Sequence, residues 1–293
     1  QRPVKWFPWT SLMLVAGLFL GINAVLEGPR EIGRWNMAAA REDWRNADYG
    51  EIQGDLSQVA DNRQKALAKL EDALKWSPEE PSFLLQRAAW RSQIGEYDGA
   101  VQDYNVLMEK FGEEVKLLGL RQRVYHLMGR HAEAVADAQQ VNNLSKTSGI
   151  PSRAVALNGV AYAKAIGKID LESALQEINE ALKFGRNAEF LDTRGFIYYQ
   201  MGKYDLALKD LDPAVNEVDR ELGVNPKDAD LRKRAEPDIR KYEIERRQEN
   251  EQFTVFYYHR ALIHEKLGHS SAAAADRKRV FELIGRDGDE KLF

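Results

Sequence analysis

The sequence predicts an all-α protein, in which five to six helix–turn–helix units form a solenoid behind a single transmembrane helix. One observation is a phrase with Gly, Ala and Asp in fixed places, which recurs at 94–104, 128–138, 201–211 and 267–277. The other is a run of 21 uncharged residues between Lys5 and Glu27. Internal repetition of this kind indicates stacked supersecondary units rather than one irregular core.

Composition excludes several classes of function. Hydrophobic residues make up 44% of the 293 positions and charged residues 30%, which is typical of a folded chain. The 42 basic and 46 acidic residues are well mixed, so we expect no nucleic-acid partner. Because there is no Cys, disulfide bonds, thiolate metal sites and cysteine nucleophiles are excluded.

The apolar run at residues 6–26 has the length of a membrane anchor. As a helix it would be about 30 Å long, which matches the hydrocarbon core of a bilayer. Trp6 and Trp9 lie at one end, where aromatic rings favour the headgroup level. The alternatives are a cleaved signal peptide, with Arg2 and Lys5 as its basic region, and a helix buried in a core. The lack of an A-x-A-like site argues against the first, and the all-round apolar character argues against the second.

The side of the membrane on which the residues after the anchor lie is inferred from the distribution of charged residues and from the length of the following domain. Basic residues flank both ends of the apolar run, so the count of Lys and Arg does not favour a cytoplasmic N-terminus. A long following domain can be translocated regardless of its charge. We therefore expect a single-pass membrane protein whose body lies on the extracytoplasmic side.

Glycine and alanine keep a fixed register along the body of the chain. Each phrase has an alanine five residues after its glycine, and these pairs are Gly95–Ala100, Gly129–Ala134, Gly202–Ala207 and Gly268–Ala273. Two looser units contain Ala66 and Ala174, and the second of these has two extra residues after Gly167. The glycine can end a helix in the left-handed conformation. The small alanine then lets the next helix approach to about 8–10 Å.

This register resembles the tetratricopeptide repeat (TPR) family, whose unit is a helix–turn–helix of 34 residues. The resemblance covers residues 47–287 and implies a right-handed α-solenoid whose stacked units form a concave groove. First helices of such units project into the groove, where peptides of partner proteins bind. The implied partner-binding candidates are Gln86, Arg123, Asn158, Tyr162, Asp192, Phe196, Tyr199, Tyr258 and His259. The alternative interpretation is that several of them pack helices together.

A basic residue stands sixteen positions before the Asp of each phrase. The four pairs are Arg87–Asp103, Arg121–Asp137, Arg194–Asp210 and Arg260–Asp276, and the two looser units lack them. Because the same pair is repeated four times, we interpret it as a structural contact between the two helices of a unit, bidentate where geometry allows. A catalytic acid would be a single special residue.

The predicted domain organisation has six parts. They are an anchor at 1–27, a juxtamembrane helix at 28–46, TPR-like units at 47–221, a charged helical insertion at 222–252, a terminal unit at 253–287 and a tail at 288–293. Asp212–Pro213 is expected to kink the second helix of its unit or to stop and restart it. The insertion is either a solvated helical excursion or a partner-binding arm with contacts at 232–234 and 245–247.

The sequence contains few candidates for catalytic or metal-binding residues. His126 and His131 are five residues apart, as are His259, His264 and His269, which is about 140° around a helix. Such residues do not share a face, so we expect no metal site. There is no phosphate loop, dinucleotide fingerprint or nucleophile elbow. We therefore expect a protein that is not an enzyme and that has no cofactor and no small-molecule substrate.

These observations predict a membrane-anchored scaffold for protein–protein interaction, either an assembly factor or a structural subunit of a membrane complex. The alternative is a regulatory module that binds a peptide transiently and is associated with a membrane enzyme. A permanent subunit should bury a large apolar groove against its neighbour, whereas a transient binder should keep a polar and open groove.

Overall fold

The computed structural model describes the backbone of residues 9–146, 150–223 and 236–288 and the side chains of 28–146, 153–223 and 250–288. These residues form twelve α-helices and one turn of 3-10 helix, with no β-strand among them. The helices are α1 Trp9–Gln53, α2 Val59–Trp76, α3 Pro81–Gln93, α4 Tyr97–Phe111, α5 Val115–Leu127, α6 His131–Ser145, α7 Ile150–Gly167, α8 Leu171–Phe184, α9 Ala188–Gln200, α10 Tyr204–Gly223, α11 Glu236–Lys266 and α12 Ser270–Ile284. The prediction of an all-α fold is confirmed.

The side chains of the predicted anchor, residues 6–26, lie outside those that the structure describes. The backbone from Trp9 onward is helical and continues without a break to Gln53. The apolar segment from Trp9 onward, the predicted juxtamembrane helix at 28–46 and the seven residues after it are therefore one helix. Among the described residues, none of the helices combines the length and the apolar character needed to cross a membrane. The anchor stays a prediction.

The chain divides into two compact units, residues 1–90 and 91–293, and the boundary falls inside α3. In the first unit, α1 packs on α2 through a buried stripe made of Gly33, Met37, Ala40, Trp44 and Ala47. This spacing of three and four residues is that of one helix face. Trp44 also stacks on Trp90, with ring centroids 4.5 Å apart. The second half of α1 is therefore the first helix of a hairpin with α2.

In the second unit, glycine forms the turn between paired helices. Gly129, Gly202 and Gly268 have φ angles of 71°, 74° and 74°, and Gly95 has 85°. The N–H of the next residue donates to the carbonyl five positions earlier, as Lys203 does to Tyr198 at 2.8 Å. This is the Schellman arrangement, which needs a left-handed residue after the helix. Odd-numbered helices are called A helices below, and even-numbered helices are called B helices.

Small residues let the A and B helices of a hairpin approach closely. The alanine five residues after the turn glycine is fully buried in most hairpins, as Ala134 and Ala207 show. At Gly195 an added Cβ would lie 2.9 Å from Cδ1 of Leu211 and 3.2 Å from the carbonyl oxygen of Ala207. The backbone of α9 therefore touches α10 directly, which any larger side chain at this position would prevent.

The α7–α8 turn differs from the expected one. Gly167 is the last residue of α7, and Lys168 adopts the positive φ, 53°, that glycine has in the other turns. The N–H of Ile169 donates to the carbonyl of Lys164 at 2.9 Å, which completes the same Schellman bond. The insertion is therefore one residue rather than two. Asp170, with φ of 44°, fills the extra place, and its side chain accepts the N–H of Ser173.

Two long helices cover Asp212–Pro213 and the later part of the charged insertion. Pro213 lies inside α10, so the helix does not stop and restart there. The proline only removes one N–H, which would have bonded to the carbonyl of Lys209. Helix α11 begins at Glu236 and continues to Lys266, so the described part of the charged insertion leads straight into the terminal unit. The side chains at 232–234 and 245–247 lie outside the described residues.

The core of the second unit forms between successive hairpins. Ala161 of α7, Ile178 of α8 and Ile197 of α9 are fully buried in one cluster. A second cluster joins α9 and α10 to the last two helices and includes Val215 and Val280. Each hairpin exposes an apolar face when isolated, and stacking on its neighbours buries that face. The stacking brings A helix against A helix, since α7 contacts α9 and α9 contacts α11.

Replacing Lys168 by Gly should stabilise the protein. The lysine is exposed and pays a steric penalty for its left-handed backbone that glycine avoids. We expect Lys168→Gly to raise the free energy of unfolding by about 1 kcal/mol, measured by urea titration followed by circular dichroism.

Lys203→Gly is the matched control, because Lys203 lies in the equivalent α9–α10 turn but is not among the residues with positive φ. That change should lower the free energy of unfolding. Equal effects of the two substitutions would contradict the assignment of the turn to Lys168.

Candidate functional site

Three of the predicted Arg–Asp pairs join the two helices of a hairpin through two parallel hydrogen bonds. Their donor–acceptor distances are 2.9 and 2.6 Å for Arg121–Asp137, 2.7 and 2.7 Å for Arg194–Asp210, and 2.9 and 2.8 Å for Arg260–Asp276. All three carboxylates are buried. The hydrogen bonds to Asp210 raise the pKa of Arg194 above its usual value, so the cation is held in its charged form.

In the α3–α4 hairpin the acid bonds to an arginine that the sequence did not predict as a partner. Asp103 accepts a hydrogen bond from Nη1 of Arg91 at 2.9 Å. Arg87, its predicted partner, lies one turn earlier in α3, within the other compact unit, and is half-buried. The acid of this hairpin is therefore bonded to a cation of the A helix, as its equivalents are, and the contact of Asp103 with Arg87 stays a prediction.

The looser units contain substitutes for the repeated pair. In α7–α8 the buried Lys164 donates to Glu177 at 2.7 Å and to Ser173 at 2.9 Å. Lys164 lies four residues before the turn, where α3 has Arg91. In the α1–α2 hairpin the charges are reversed, since Asp43 on the A helix pairs with Lys69 on the B helix at 2.6 Å.

The same arginines also contact the preceding hairpin. Nη1 of Arg121 donates to Asn105 at 2.5 Å, Nη1 of Arg194 to Asn179 at 3.0 Å and Nη1 of Arg260 to Asp212 at 3.4 Å. Each acceptor lies two positions after the acid of its own B helix. One guanidinium therefore joins an A helix to two B helices. The only sequence signal for this was the recurrence of Asn or Asp at that position.

The aromatic groove candidates meet in one cluster that crosses α7, α9 and α11. The ring of Phe196 stacks on His259 with centroids 4.0 Å apart. Tyr162 lies 6.1 Å from Phe196 and 6.2 Å from His259. Tyr199 stacks beside Phe196 at 6.0 Å. The sequence placed these residues on equivalent helix faces, and the structure brings them into contact.

Four of the candidates lie in the interior rather than on an open groove. They are Asp192, Phe196, Tyr258 and His259, with exposed fractions of 0–5%. Both oxygens of Asp192 lie within 3.0 Å of Nδ1 of His259. This buried bond links α9 to α11. Arg277 covers the ring of Tyr258 at 4.7 Å. These four side chains hold adjacent hairpins together, as the alternative interpretation anticipates.

The other candidates remain open to a ligand. Arg123 on α5 is exposed, while Asn158, Tyr162 and Tyr199 are half-buried; Gln86, also half-buried, lies in the first compact unit. The charge of Arg123 acts on the Tyr162 phenol, whose pKa is raised well above its usual value by burial and by Asp192. Arg123, Asn158, Tyr162 and Tyr199 are together called the A-helix face below.

Asn158 has an unsatisfied polar atom. Its Oδ1 is buried and has no hydrogen-bond partner among the described residues. Tyr162 follows it by four positions on α7, so the two side chains lie on one side of the helix. Buried polar atoms are nearly always hydrogen-bonded in folded proteins. Because Oδ1 is enclosed, a bound molecule would reach only the other atoms of this half-buried side chain.

Two of the three histidine pairs with a spacing of five residues meet, contrary to the expectation that such residues do not share a face. Nδ1 of His126 lies 3.2 Å from Nδ1 of His131, and the corresponding distance for His264 and His269 is 3.3 Å. The reason is that the glycine turn separates the two residues, so they face each other across the hairpin. No group of three metal-ligating side chains occurs among the described residues.

Comparison with proteins of known structure identifies the fold of this helical arrangement. No family model matches the chain. A tetratricopeptide repeat protein from Parabacteroides merdae ATCC 43184 has a similar structure, with a TM-score of 0.56 and 19% identity over 80% of this chain and 78% of that one. The fold is that of the TPR. Turns, buried alanines and stacked A helices in this chain are thus the elements of TPR units.

Two further proteins show similarity to parts of this chain. MamA from Desulfovibrio magneticus RS-1 has a TM-score of 0.44 and 14% identity, over 62% of this chain and 96% of that one. The Hsp70-Hsp90 organizing protein of Triticum aestivum is 25% identical over 199 residues, which is 64% of this chain. The chain spans 32% of the length of that relative.

The His126–His131 pair should make this TPR fold sensitive to acid. Burial, and the neighbouring His131, lower the pKa of His126 from 6.5 to about 4. The unfolded chain therefore binds a proton between these two values that the folded protein does not. The stabilising contribution is complete above pH 6.5 and is lost as the pH falls towards 4. We expect His126→Gln to reduce the drop in the thermal unfolding midpoint between pH 7.5 and pH 5.

His264→Gln serves as the control, since burial also lowers the pKa of His264 but that side chain is less enclosed. Its effect on the same pH dependence should be smaller. An unchanged pH dependence in His126→Gln would show that another group governs the acid response.

Proposed function

We propose that this chain is a membrane-anchored TPR scaffold that binds a segment of another protein along its A-helix face. The observation that carries the proposal is the exposed Arg123 together with the half-buried side chains of Asn158, Tyr162 and Tyr199 on the A helices. The TPR fold supports it, because stacked A helices provide an extended surface of repeating positions.

The face suits an extended peptide with a carboxylate. The half-buried side chain of Asn158 would contact the main chain of the peptide. Tyr162 and Tyr199 would contact side chains on either side of that bond, since aromatic rings supply large contact area with little loss of entropy. Arg123 has no described carboxylate within ion-pair distance and would pair with an acidic group of the ligand.

The membrane part of the proposal rests on the apolar segment at residues 6–26. A span there would place the protein on one side of the bilayer, and we propose the extracytoplasmic side. Because α1 is continuous from Trp9 to Gln53, the span would be a direct extension of the first A helix. A scaffold fixed in this way would act as an assembly factor or a structural subunit of a membrane complex.

A second candidate function is transient peptide binding by a regulatory module associated with a membrane enzyme. The polar character of the A-helix face favours it. An exposed Arg and a half-buried Asn are suited to a ligand that also exists free in water, whereas permanent interfaces are more apolar. A partner that co-purifies in equal amount would favour the subunit, and loss of the partner on washing would favour the transient binder.

Asn158→Ala should separate binding from stability. The substitution removes an unsatisfied buried acceptor, so we expect the free energy of unfolding to stay equal or to rise. Partner binding should fall roughly 5- to 10-fold, because the polar contact of the Asn158 side chain with the peptide is lost. The full chain would be captured from detergent-solubilised membranes, and the partner dissociation constant would then be measured by titration of the purified pair.

Arg123→Glu should abolish binding of an acidic partner segment, while Lys209→Glu is its charge-matched control on the B helix α10. Lys209 is exposed and lies away from the A-helix face. If all three variants bound the partner as the wild type does, the A-helix face would not be the binding site.

A further inference from the structure

A row of arginines follows the apolar segment on α1. Arg30, Arg34, Arg41 and Arg45 are separated by four, seven and four residues. This spacing places them along one line of the helix. The line lies directly beside the buried stripe that begins at Gly33, so the arginines border the surface where α1 meets α2 and α3.

Three of these arginines line a pocket within the first compact unit. Arg30, Arg34 and Arg41 form one wall, and Ser77 and Ser82 contribute hydroxyl groups from the α2–α3 connection and the start of α3. The absence of a side chain at Gly33 allows this approach, since an added Cβ would lie 3.0 Å from Oγ of Ser77. The pocket is thus built by close packing of α1 on the α2–α3 segment.

The pocket carries more positive than negative charge. Arg34 pairs with Glu31 at 2.5 Å, but no described carboxylate lies within ion-pair distance of Arg41. Glu80 also lines the pocket, and its carboxylate is engaged by the hydroxyl of Ser82 at 2.8 Å and its N–H at 3.4 Å. Guanidinium groups donate hydrogen bonds only, in a fork that matches the oxygens of phosphate.

We propose that this pocket binds a phosphate group, and that its source is the headgroup of an anionic phospholipid. The lipid source rests on the proposed anchor. Arg30 is four residues beyond Leu26, or about 6 Å along the helix, and Arg34 is about 12 Å along it. The headgroup layer of each leaflet is about 5–8 Å thick. The end of the pocket at Arg30 would therefore lie at the level of lipid phosphates.

Trp35 supports the same placement independently. Its side chain is 73% exposed on the side of α1 that faces away from α2. Exposed Trp is enriched at the membrane–water interface, where its ring is apolar and its N–H is hydrated. This turn of α1 then has an interfacial side chain on one side and a phosphate-binding pocket on the other.

The test compares Arg34→Gln/Arg41→Gln with Arg45→Gln in the full-length chain in detergent micelles. Arg45 lies on the same line of α1 but outside the pocket, and pairs with Glu42 at 2.8 Å. Phosphatidylglycerol or phosphatidylcholine is titrated, and bound lipid is counted by native mass spectrometry. In a second arm, inorganic phosphate is titrated and the thermal unfolding midpoint is followed.

We expect the wild type to bind phosphatidylglycerol in preference to phosphatidylcholine. The double substitution should weaken this binding roughly 10- to 30-fold, whereas Arg45→Gln should leave it unchanged. If lipids show no preference but inorganic phosphate stabilises the wild type and Arg45→Gln alone, the phosphate site stands with a soluble source. The titration with inorganic phosphate does not depend on the anchor. It therefore distinguishes a failure of the membrane proposal from a failure of the proposed phosphate site.

Two results would overturn the proposal. One is binding of both ligands that is insensitive to Arg34→Gln/Arg41→Gln. The other is an equal loss in Arg45→Gln, which would mean that the overall charge of α1, and not the pocket, attracts the anion.

Discussion

In the part of the chain that the structure describes, each hairpin has an ion pair between a cation on one helix and a carboxylate on the other. The charged group of the B helix always lies three residues after the buried small residue at which the helices touch. In the five hairpins from α3 onward it is an acid that is largely buried, as Asp210 is. A buried carboxylate without a partner would cost several kcal/mol, so the pair fixes which positions of the two helices must meet. The third arm of the arginine then reaches the preceding B helix, as Arg194 reaches Asn179 at 3.0 Å.

The sequence predicts much of this arrangement because its signals are local and repeated. Gly202, Ala207 and Asp210 recur at fixed spacing, which is enough to predict a turn, a close contact and an interhelical pair. Prediction fails where an insertion shifts the register, as at Lys168, or where a different pair of charges has the same role, as Lys164 and Glu177 do. It also fails for contacts between distant segments. Asp192 and His259 are 67 positions apart, and no regular spacing in the sequence predicts that they form a hydrogen bond in the interior.

The use of side chains in packing limits which residues are available to bind a partner. Repeated charges and most aromatic residues of the A helices are used in packing, and this leaves a small set of open side chains around Asn158 and Tyr162. At the other end of the chain, α1 provides both the first A helix and the backbone of the apolar segment. A continuous helix of this kind would connect the proposed anchor directly to the first compact unit. The arginine-lined pocket at the base of α1 would then add a contact with the lipid surface.

The central claim is that interhelical ion pairs determine how the hairpins form, and a double-mutant cycle tests it most directly. Arg194→Gln, Asp210→Asn and the double variant would be compared by urea unfolding with the equivalent cycle on Lys183 and Glu180, an exposed pair 2.6 Å apart on one helix. We predict a coupling free energy of about 1.5–3 kcal/mol for Arg194–Asp210 and about 0.5 kcal/mol or less for the exposed pair. Equal and small coupling energies in the two cycles would contradict the account.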